Sequence, residues 1–251
     1  MRKDNEERFG SHFDDVVDVI CAGSSPGVLA FAIACADLDR TVLLIDSPPL
    51  ADLTDPDTVA YLRSMTDDLE SVSPDLELTI TRARPVPSAT GGRPKIEPFF
   101  GGQLQNWSAT CSTSPFGVVC TEVIDSPMTA WRTKSEFIRA VVLGTYPPDA
   151  DGAPGLVEWL TEQALDRGVE WDSGSVLQRL IFEGGRVVGA VVDEGAGSRI
   201  VRAADGVALY PGPALAVDDW SVESDAGTGL QVALVGRTAA RFGRAELLLV
   251  D

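Results

Sequence analysis

The sequence Val16-Val17-Asp18-Val19-Ile20-Cys21-Ala22-Gly23-Ser24-Ser25-Pro26-Gly27 joins an apolar, β-branched run to a turn. Such a run is typical of a strand that is buried on both faces of a parallel sheet. Residues 28–36 follow and are rich in Ala, Leu and other apolar residues, which favours a helix packed on that sheet. Residues 41–45 form a second apolar run of strand length, and Asp46 comes directly after it. The order of strand, helix and strand predicts a βαβ unit.

The turn after the first strand has part of the spacing of a dinucleotide-binding turn. In G-x-G-x-x-G, the glycines allow a sharp bend, a close approach to a pyrophosphate and close helix packing. Ala22 and Ser24 stand at the first two glycine positions here, and Gly27 stands at the third. Asp46 follows Gly27 by nineteen positions, where an acidic side chain can accept hydrogen bonds from a ribose. The pattern predicts a nucleotide-binding fold, and the alternative is an ordinary βαβ turn with a solvated Asp46.

The rest of the chain divides by composition into three parts. Residues 14–72 and 155–251 are predicted to form a Rossmann-like nucleotide-binding domain. Residues 73–154 hold ten of the sixteen prolines and predict an inserted β-rich subdomain. Residues 1–13 are predicted to be a flexible charged arm. The fold class is therefore α/β, with a Rossmann-like parallel sheet and helices, a β-hairpin or meander and the smaller β-rich insert.

Turn residues and apolar periodicity predict the remaining elements. Asp55-Pro56 is typical of a helix start and predicts a helix that continues to about Leu69. A second helix is predicted over 155–167, and Gly168 is placed to end it. A short helix is predicted over 229–236. The predicted strands are 76–81, 116–123, 137–143, the hairpin 176–182 with 187–192, and then 199–202, 206–210 and 245–250.

Three separated pieces of the sequence resemble the FAD-dependent fumarate reductase, succinate dehydrogenase and 3-ketosteroid dehydrogenase family. The first is residues 18–27 with Asp46, the second is residues 185–192 followed by 207–212, and the third is residues 226–233. They look like the family's FAD-binding turn, its hairpin and Ala-Thr-Gly-Gly type turn, and its Thr-Gly-Asp-Gly type helix start. With residues 155–167 and the strand after them, they cover roughly half of the chain, all within the nucleotide-binding domain.

The resemblance implies FAD as the cofactor and a set of residues that would bind it. It assigns no catalytic residue and no metal ligand to this chain. The implied cofactor-binding residues are Ala22, Gly23, Ser24, Ser25, Gly27, Asp46, Val176, Gly212 and Gly229.

The sequence also departs from the family at the positions that hold FAD. The Ser24 side chain projects where the backbone should meet the pyrophosphate. Residues 47–52 contain no glycine, and the late turn reads Tyr210-Pro211-Gly212-Pro213, in which both prolines lack an N–H donor. The chain ends at Asp251, where the family continues with a catalytic capping domain, so we expect a truncated form limited to the nucleotide-binding domain.

Two functions are compatible with this sequence. The first is an FAD-binding, dehydrogenase-type oxidoreductase subunit of a hetero-oligomer, whose partner chain supplies the catalytic cap. The alternative is a non-catalytic pseudoenzyme that has lost FAD binding and is a structural or regulatory partner of a flavoprotein dehydrogenase. In both, the expected partner is a related flavoprotein chain.

Residues 23–27 also spell G-x-S-x-G, but the single histidine, His12, precedes the serines, which disfavours a hydrolase triad.

Charge and cysteine usage restrict the environment of the protein. The 38 acidic and 20 basic residues give a net charge of −18, which disfavours nucleic acid and anionic membranes as partners. The first ten residues lack the apolar stretch of a signal peptide, and no apolar run is long enough to span a bilayer. The four cysteines lack metal-binding spacing and predict reduced thiols. We therefore expect a cytoplasmic protein.

Overall fold

The fold is described by a computed structural model over residues 13–48, 50–65, 76–87, 101–123, 128–147, 155–212, 230–237 and 240–250. Helices and strands alternate at the start of the chain, and strands dominate the end. In chain order the elements are β1 (Asp15–Ala22), α1 (Pro26–Ala36), β2 (Val42–Asp46), a 3-10 turn (Leu50–Asp52), α2 (Pro56–Ser64), β3 (Ile80–Pro85), α3 (Gly102–Thr113), β4 (Gly117–Cys120), β5 (Thr129–Arg132), β6 (Phe137–Thr145), α4 (Leu156–Asp166), β7 (Glu170–Glu183), β8 (Arg186–Asp193), β9 (Ser198–Leu209), β10 (Leu230–Gly236) and β11 (Phe242–Val250).

The βαβ unit is confirmed, and it is part of a closed ring of strands. β1 pairs in parallel with β2 on one side and with β9 on the other. β2 pairs in parallel with β7, and β7, β8 and β9 form an antiparallel meander that returns to β1. We call these five strands the first ring. The α/β class, the Rossmann-like unit and the hairpin are therefore as the sequence predicts.

Five other strands close a second ring, made of β3, β5, β6, β10 and β11. β11 pairs with β10 and in parallel with β3, and β5 and β6 connect β3 to β10. β4 joins the two rings because it pairs with β9 on one side and with β11 on the other. Strands from 73–154 and from 155–251 thus share one sheet, and the division into a domain and an insert stays a prediction.

Helix α1 lies in the centre of the main core. Every residue from Pro26 to Cys35 is buried, as expected for a helix that is apolar on all sides. α1 contacts β1 of the first ring, β10 and β11 of the second ring, and also β4 and α4. The prediction that α1 lies on a sheet is confirmed, and the structure adds that further strands cover its other side.

Helix α2 is held by a cap that also connects it to the first ring. The carboxylate of Asp55 accepts hydrogen bonds from the Thr58 amide at 2.8 Å and from the Thr58 hydroxyl at 2.7 Å. The Thr58 hydroxyl oxygen in turn accepts a bond from the Leu180 amide of β7 at 2.9 Å. The predicted N-cap is confirmed. α2 ends at Ser64, and the predicted extension to Leu69 falls outside the described residues.

One predicted element is wrong, one is displaced and two others merge. The strand predicted at 76–81 is displaced, since β3 begins at Ile80 and ends at Pro85. The short helix over 229–236 is instead strand β10, which pairs with β6 and β11 along its length. Its apolar residues are buried between two neighbouring strands, so tertiary pairing overrides local helix preference. The strands predicted at 199–202 and 206–210 are one strand, β9, with an irregularity opposite the step from Val17 to Val19.

One α-helix and one strand are absent from the sequence-based prediction. α3 contains Gly, Ser and Thr among few apolar residues, so it has no clear apolar face to detect. β5 has only four residues, which is too short for an alternating pattern to be recognised.

Candidate functional site

The turn after β1 lies against the end of β2. Gly23 has a φ of +108°, and its amide donates a hydrogen bond to the carbonyl oxygen of Ile45 at 2.8 Å. A Cβ at Gly23 would lie 3.6 Å from the Cβ of Ser47. Ser24, the next residue of the turn, is exposed. The carboxyl ends of the two parallel strands thus meet, as they do where ligands bind in open α/β sheets.

Asp46 and Val176 are brought together at this edge. Asp46 is half-buried at the end of β2, and it is the register partner of Val176 in β7. Its carboxylate accepts a long hydrogen bond of 3.4 Å from the Gly174 amide. The carboxylate has acceptor capacity left for a ribose hydroxyl. The ribose-binding role of Asp46 stays a prediction.

Another part of the chain, residues 115–117, packs against the N-terminus of α1. The Gly27 amide donates a hydrogen bond to the carbonyl oxygen of Pro115, with 3.1 Å between N and O. A Cβ at Gly27 would overlap the carbonyl oxygens of Phe116 and Gly117. Pro26 precedes Gly27 and has no N–H. The segment that leads into β4 therefore packs closely on the first turn of α1 and takes up one of the N–H groups that this turn could offer to a pyrophosphate.

Ser25 is the N-cap residue of α1, but it does not cap the helix. Its side chain makes no capping hydrogen bond. Its Oγ is buried and has no hydrogen-bond partner among the described residues. The hydroxyl is therefore present at the helix start without contributing the usual cap.

The side chain of Tyr210 covers the predicted glycine turn after β9. Leu209, the last residue of β9, is the register partner of Ala22, so Tyr210 follows beside the turn. A Cβ at Gly212 would overlap the Tyr210 hydroxyl. That hydroxyl is buried with no hydrogen-bond partner among the described residues, and burial raises its pKa. Gly229, the last predicted cofactor residue, lies outside the described residues.

These contacts test whether FAD fits the turn. A pyrophosphate at a helix N-terminus is bound by backbone N–H groups that point at it. Here Pro26 has no such group, the Gly27 amide is bonded to Pro115, and the Pro115 carbonyl oxygen would face the phosphate oxygens. The edge near Asp46 fits a ribose, and the first turn of α1 offers a pyrophosphate fewer N–H groups than a glycine-rich turn would. Pro26 was visible in the sequence, whereas no local signal reveals Pro115, because it reaches α1 only through the fold.

Neither a protein-family model nor a curated protein matches this sequence. Among solved structures, the chain is similar to 3-ketosteroid-Δ4-(5α)-dehydrogenase from Rhodococcus jostii, with a TM-score of 0.35, 18% identity and coverage of 80% of this chain and 46% of that one. It is also similar to a geranylgeranyl bacteriochlorophyll reductase-like protein from Thermoplasma acidophilum, with a TM-score of 0.31, 14% identity and coverage of 75% and 38%. A myxobacterial chondrochloren halogenase, described as a variant of FAD-dependent halogenases, has a TM-score of 0.31, 14% identity and coverage of 75% and 36%.

The alignments cover between 36% and 46% of these three chains. The three names are those of a dehydrogenase, a reductase-like protein and an FAD-dependent halogenase. Similarity at this level concerns the fold alone, and no particular family is assigned to this chain. Within the part of the chain that the structure describes, every helix is too short or too polar to cross a membrane.

Proposed function

We propose that this protein is a non-catalytic, Rossmann-like relative of FAD-dependent oxidoreductases that acts as a partner of a flavoprotein dehydrogenase. The observation that carries this proposal is the hydrogen bond from the Gly27 amide to the Pro115 carbonyl. This bond replaces, within the protein, the contact that the helix would make with a pyrophosphate.

Three features at the same strand edge support the loss of FAD binding. Pro26 removes one N–H donor, Pro115 uses another, and Tyr210 covers Gly212 where the family has an open glycine turn. Without bound flavin, the chain has no group that accepts a hydride, because side chains do not perform that chemistry. The resemblance of residues 18–27 and 185–192 to the flavoprotein family supports a related chain as the partner.

The absorption spectrum of the purified protein tests the proposal. We expect no flavin bands near 370 and 450 nm, roughly the usual flavin wavelengths, and no saturable quenching of FAD fluorescence on titration with the protein. A known FAD-binding dehydrogenase purified in parallel serves as the control. Purification with stoichiometric flavin would overturn the proposal.

Light scattering tests the partner. The chain is measured alone and after co-expression with the products of its neighbouring genes. We expect a complex whose mass is the sum of two chains. A stable monomer that associates with none of them would contradict the partner function.

A second candidate is an FAD-binding subunit whose catalytic cap comes from another chain. The specific observation that favours it is the convergence of Gly23 and Asp46, at the ends of β1 and β2, with Val176 in the middle of β7. If the protein binds FAD here, Asp46→Ala weakens binding by about 1–3 kcal/mol through lost hydrogen bonds to the ribose. Asp52→Ala, at an exposed position of the following 3-10 turn, is the matched control. Equal affinity in both variants would contradict this candidate.

A further inference from the structure

A cavity of about 270 Å³ lies at the opposite end of α1 from the turn. It is lined by the last two turns of α1, the middle of β1 and the irregular part of β9, and its mouth is formed by residues after β4 and at the start of β8. In β9, two residues, Ala204 and Asp205, lie opposite the single residue Asp18 of β1, since Val17 pairs with Ala203 and Val19 with Gly206. Irregularities of this kind are frequent beside binding sites.

The inner wall of the cavity is apolar. Val19, Phe31, Ala34 and Val207 line it, and all four are buried. If a water molecule occupies about 30 Å³, the cavity holds on the order of ten non-hydrogen atoms. The apolar inner wall, the polar side chains at the mouth and the size together favour a small molecule with one polar end and an apolar body.

Two cysteines, Cys35 and Cys120, also line the cavity, and they add to the apolar wall. Burial raises the pKa of Cys35 to about 12 and that of Cys120 well above its ordinary value. Both thiols are therefore protonated at neutral pH, and a protonated thiol is a poor nucleophile and metal ligand. Because neither thiol is a good nucleophile, we expect a ligand in the cavity to bind reversibly.

The mouth of the cavity holds two ion pairs. Arg40 Nε lies 3.2 Å from an Asp205 carboxylate oxygen. Arg186 contacts one oxygen of Glu122 through Nε at 3.2 Å and through Nη2 at 3.1 Å. A guanidinium has five N–H donors, so the contacts among the described residues leave donors on both arginines at the mouth.

We propose that this cavity binds a small monocarboxylic acid, with its apolar body inside and its carboxylate on Arg40 and Arg186. Guanidinium groups bind carboxylates through paired, charge-assisted hydrogen bonds. Glu122 and Asp205 offset the two arginines, and the protein carries a net charge of −18. A single negative charge is therefore favoured over a phosphate dianion.

Calorimetry with three probes of equal chain length tests the proposal. Octanoate has about ten non-hydrogen atoms and matches the size of the cavity. We expect octanoate to bind with one-to-one stoichiometry, octanol to bind at least about tenfold more weakly, and octylamine not to bind. No binding of octanoate, or equal binding of octanol and octanoate, would overturn the proposal.

Variants locate the binding. Arg40→Gln and Arg186→Gln should each weaken octanoate binding about tenfold and leave octanol binding unchanged. The Arg40 side chain is 48% exposed and the Arg186 side chain 73% exposed, so these variants should fold. Arg84→Gln, at an exposed position of β3, is the control and should bind octanoate normally. Ala34→Leu should fill the cavity and prevent binding of both probes. Unchanged octanoate affinity in the two variants at the mouth would refute the assigned site.

Discussion

The backbone amide of Gly27 donates a hydrogen bond to the carbonyl oxygen of Pro115. The first turn of a helix has N–H groups without intrahelical partners and a partial positive charge. In this protein a carbonyl oxygen from the segment before β4 satisfies one of these groups. The N-terminus of α1 is therefore in structural contact with the segment that leads into β4, the strand that joins the two rings.

Gly27→Ala should destabilise the protein by about 1–3 kcal/mol, because the added Cβ would overlap the carbonyl oxygens of Phe116 and Gly117. Urea denaturation measures the change in the free energy of unfolding. Gly197→Ala is the control, since a Cβ there would meet no atom within 4 Å, and it should shift stability by less than about 0.5 kcal/mol. Equal stability of both variants would show that α1 does not pack this closely.

Ala22→Gly combined with Ser24→Gly should not create FAD binding. The double variant restores two glycines of the turn, but Pro26 still lacks an N–H and the Gly27 amide is still bonded to Pro115. Quenching of FAD fluorescence during titration is the measurement. Saturable binding by this variant would show that the side chains at 22 and 24 are what exclude the cofactor.

Thr58→Val should cost about 1–3 kcal/mol of stability, because the Leu180 amide would lose its buried acceptor and Asp55 would lose one hydrogen bond. The exposed fraction of Thr58 is 0%, so water does not replace the hydroxyl. Thr58→Ser keeps the hydroxyl and is the matched control in the same urea denaturation experiment. A Val variant as stable as the Ser variant would contradict the bridging role of Thr58.

Asp18 should make stability depend on pH in the acidic range. Its carboxylate accepts hydrogen bonds from the Thr41 amide at 2.8 Å and the Thr41 hydroxyl at 2.9 Å, and these lower its pKa below 3.8. A carboxylate whose pKa is lowered in the folded state stabilises the protein at pH values above its ordinary pKa. This contribution to stability is lost as the pH falls through the pKa of the carboxylate in the folded protein.

The test compares Asp18→Asn with the native protein by thermal unfolding from neutral pH to below pH 3.8, the ordinary pKa of the group. The variant should be less stable at neutral pH, and the difference should shrink on acidification. Asp166→Asn, which changes an exposed carboxylate at the end of α4, is the control. A difference between Asp18→Asn and native protein that stays constant with pH would contradict the prediction.

Much of the first ring could be predicted from sequence, because its signals are local. The apolar run of β1, the small apolar residues of α1 and the Gly184-Gly185 turn between β7 and β8 each determine a short stretch of backbone. The Asp55 cap and the Gly168 helix end are local in the same way. The element at Leu230–Gly236 was not predictable by this reasoning, since its strand conformation depends on pairing with β6 and β11.

By itself, the sequence determined that a βαβ unit exists, where its turn lies and that Asp46 follows its second strand, since all three depend on residues close in the chain. The tertiary structure alone decided what faces that turn. Pro115 and Tyr210 reach the ends of β1 and α1 through strands β4 and β9, and the cavity at the other end of α1 is enclosed by four separated strands and their flanking residues. Contacts between residues so far apart in sequence leave no local pattern, because they depend on sheet pairing and packing of the whole chain.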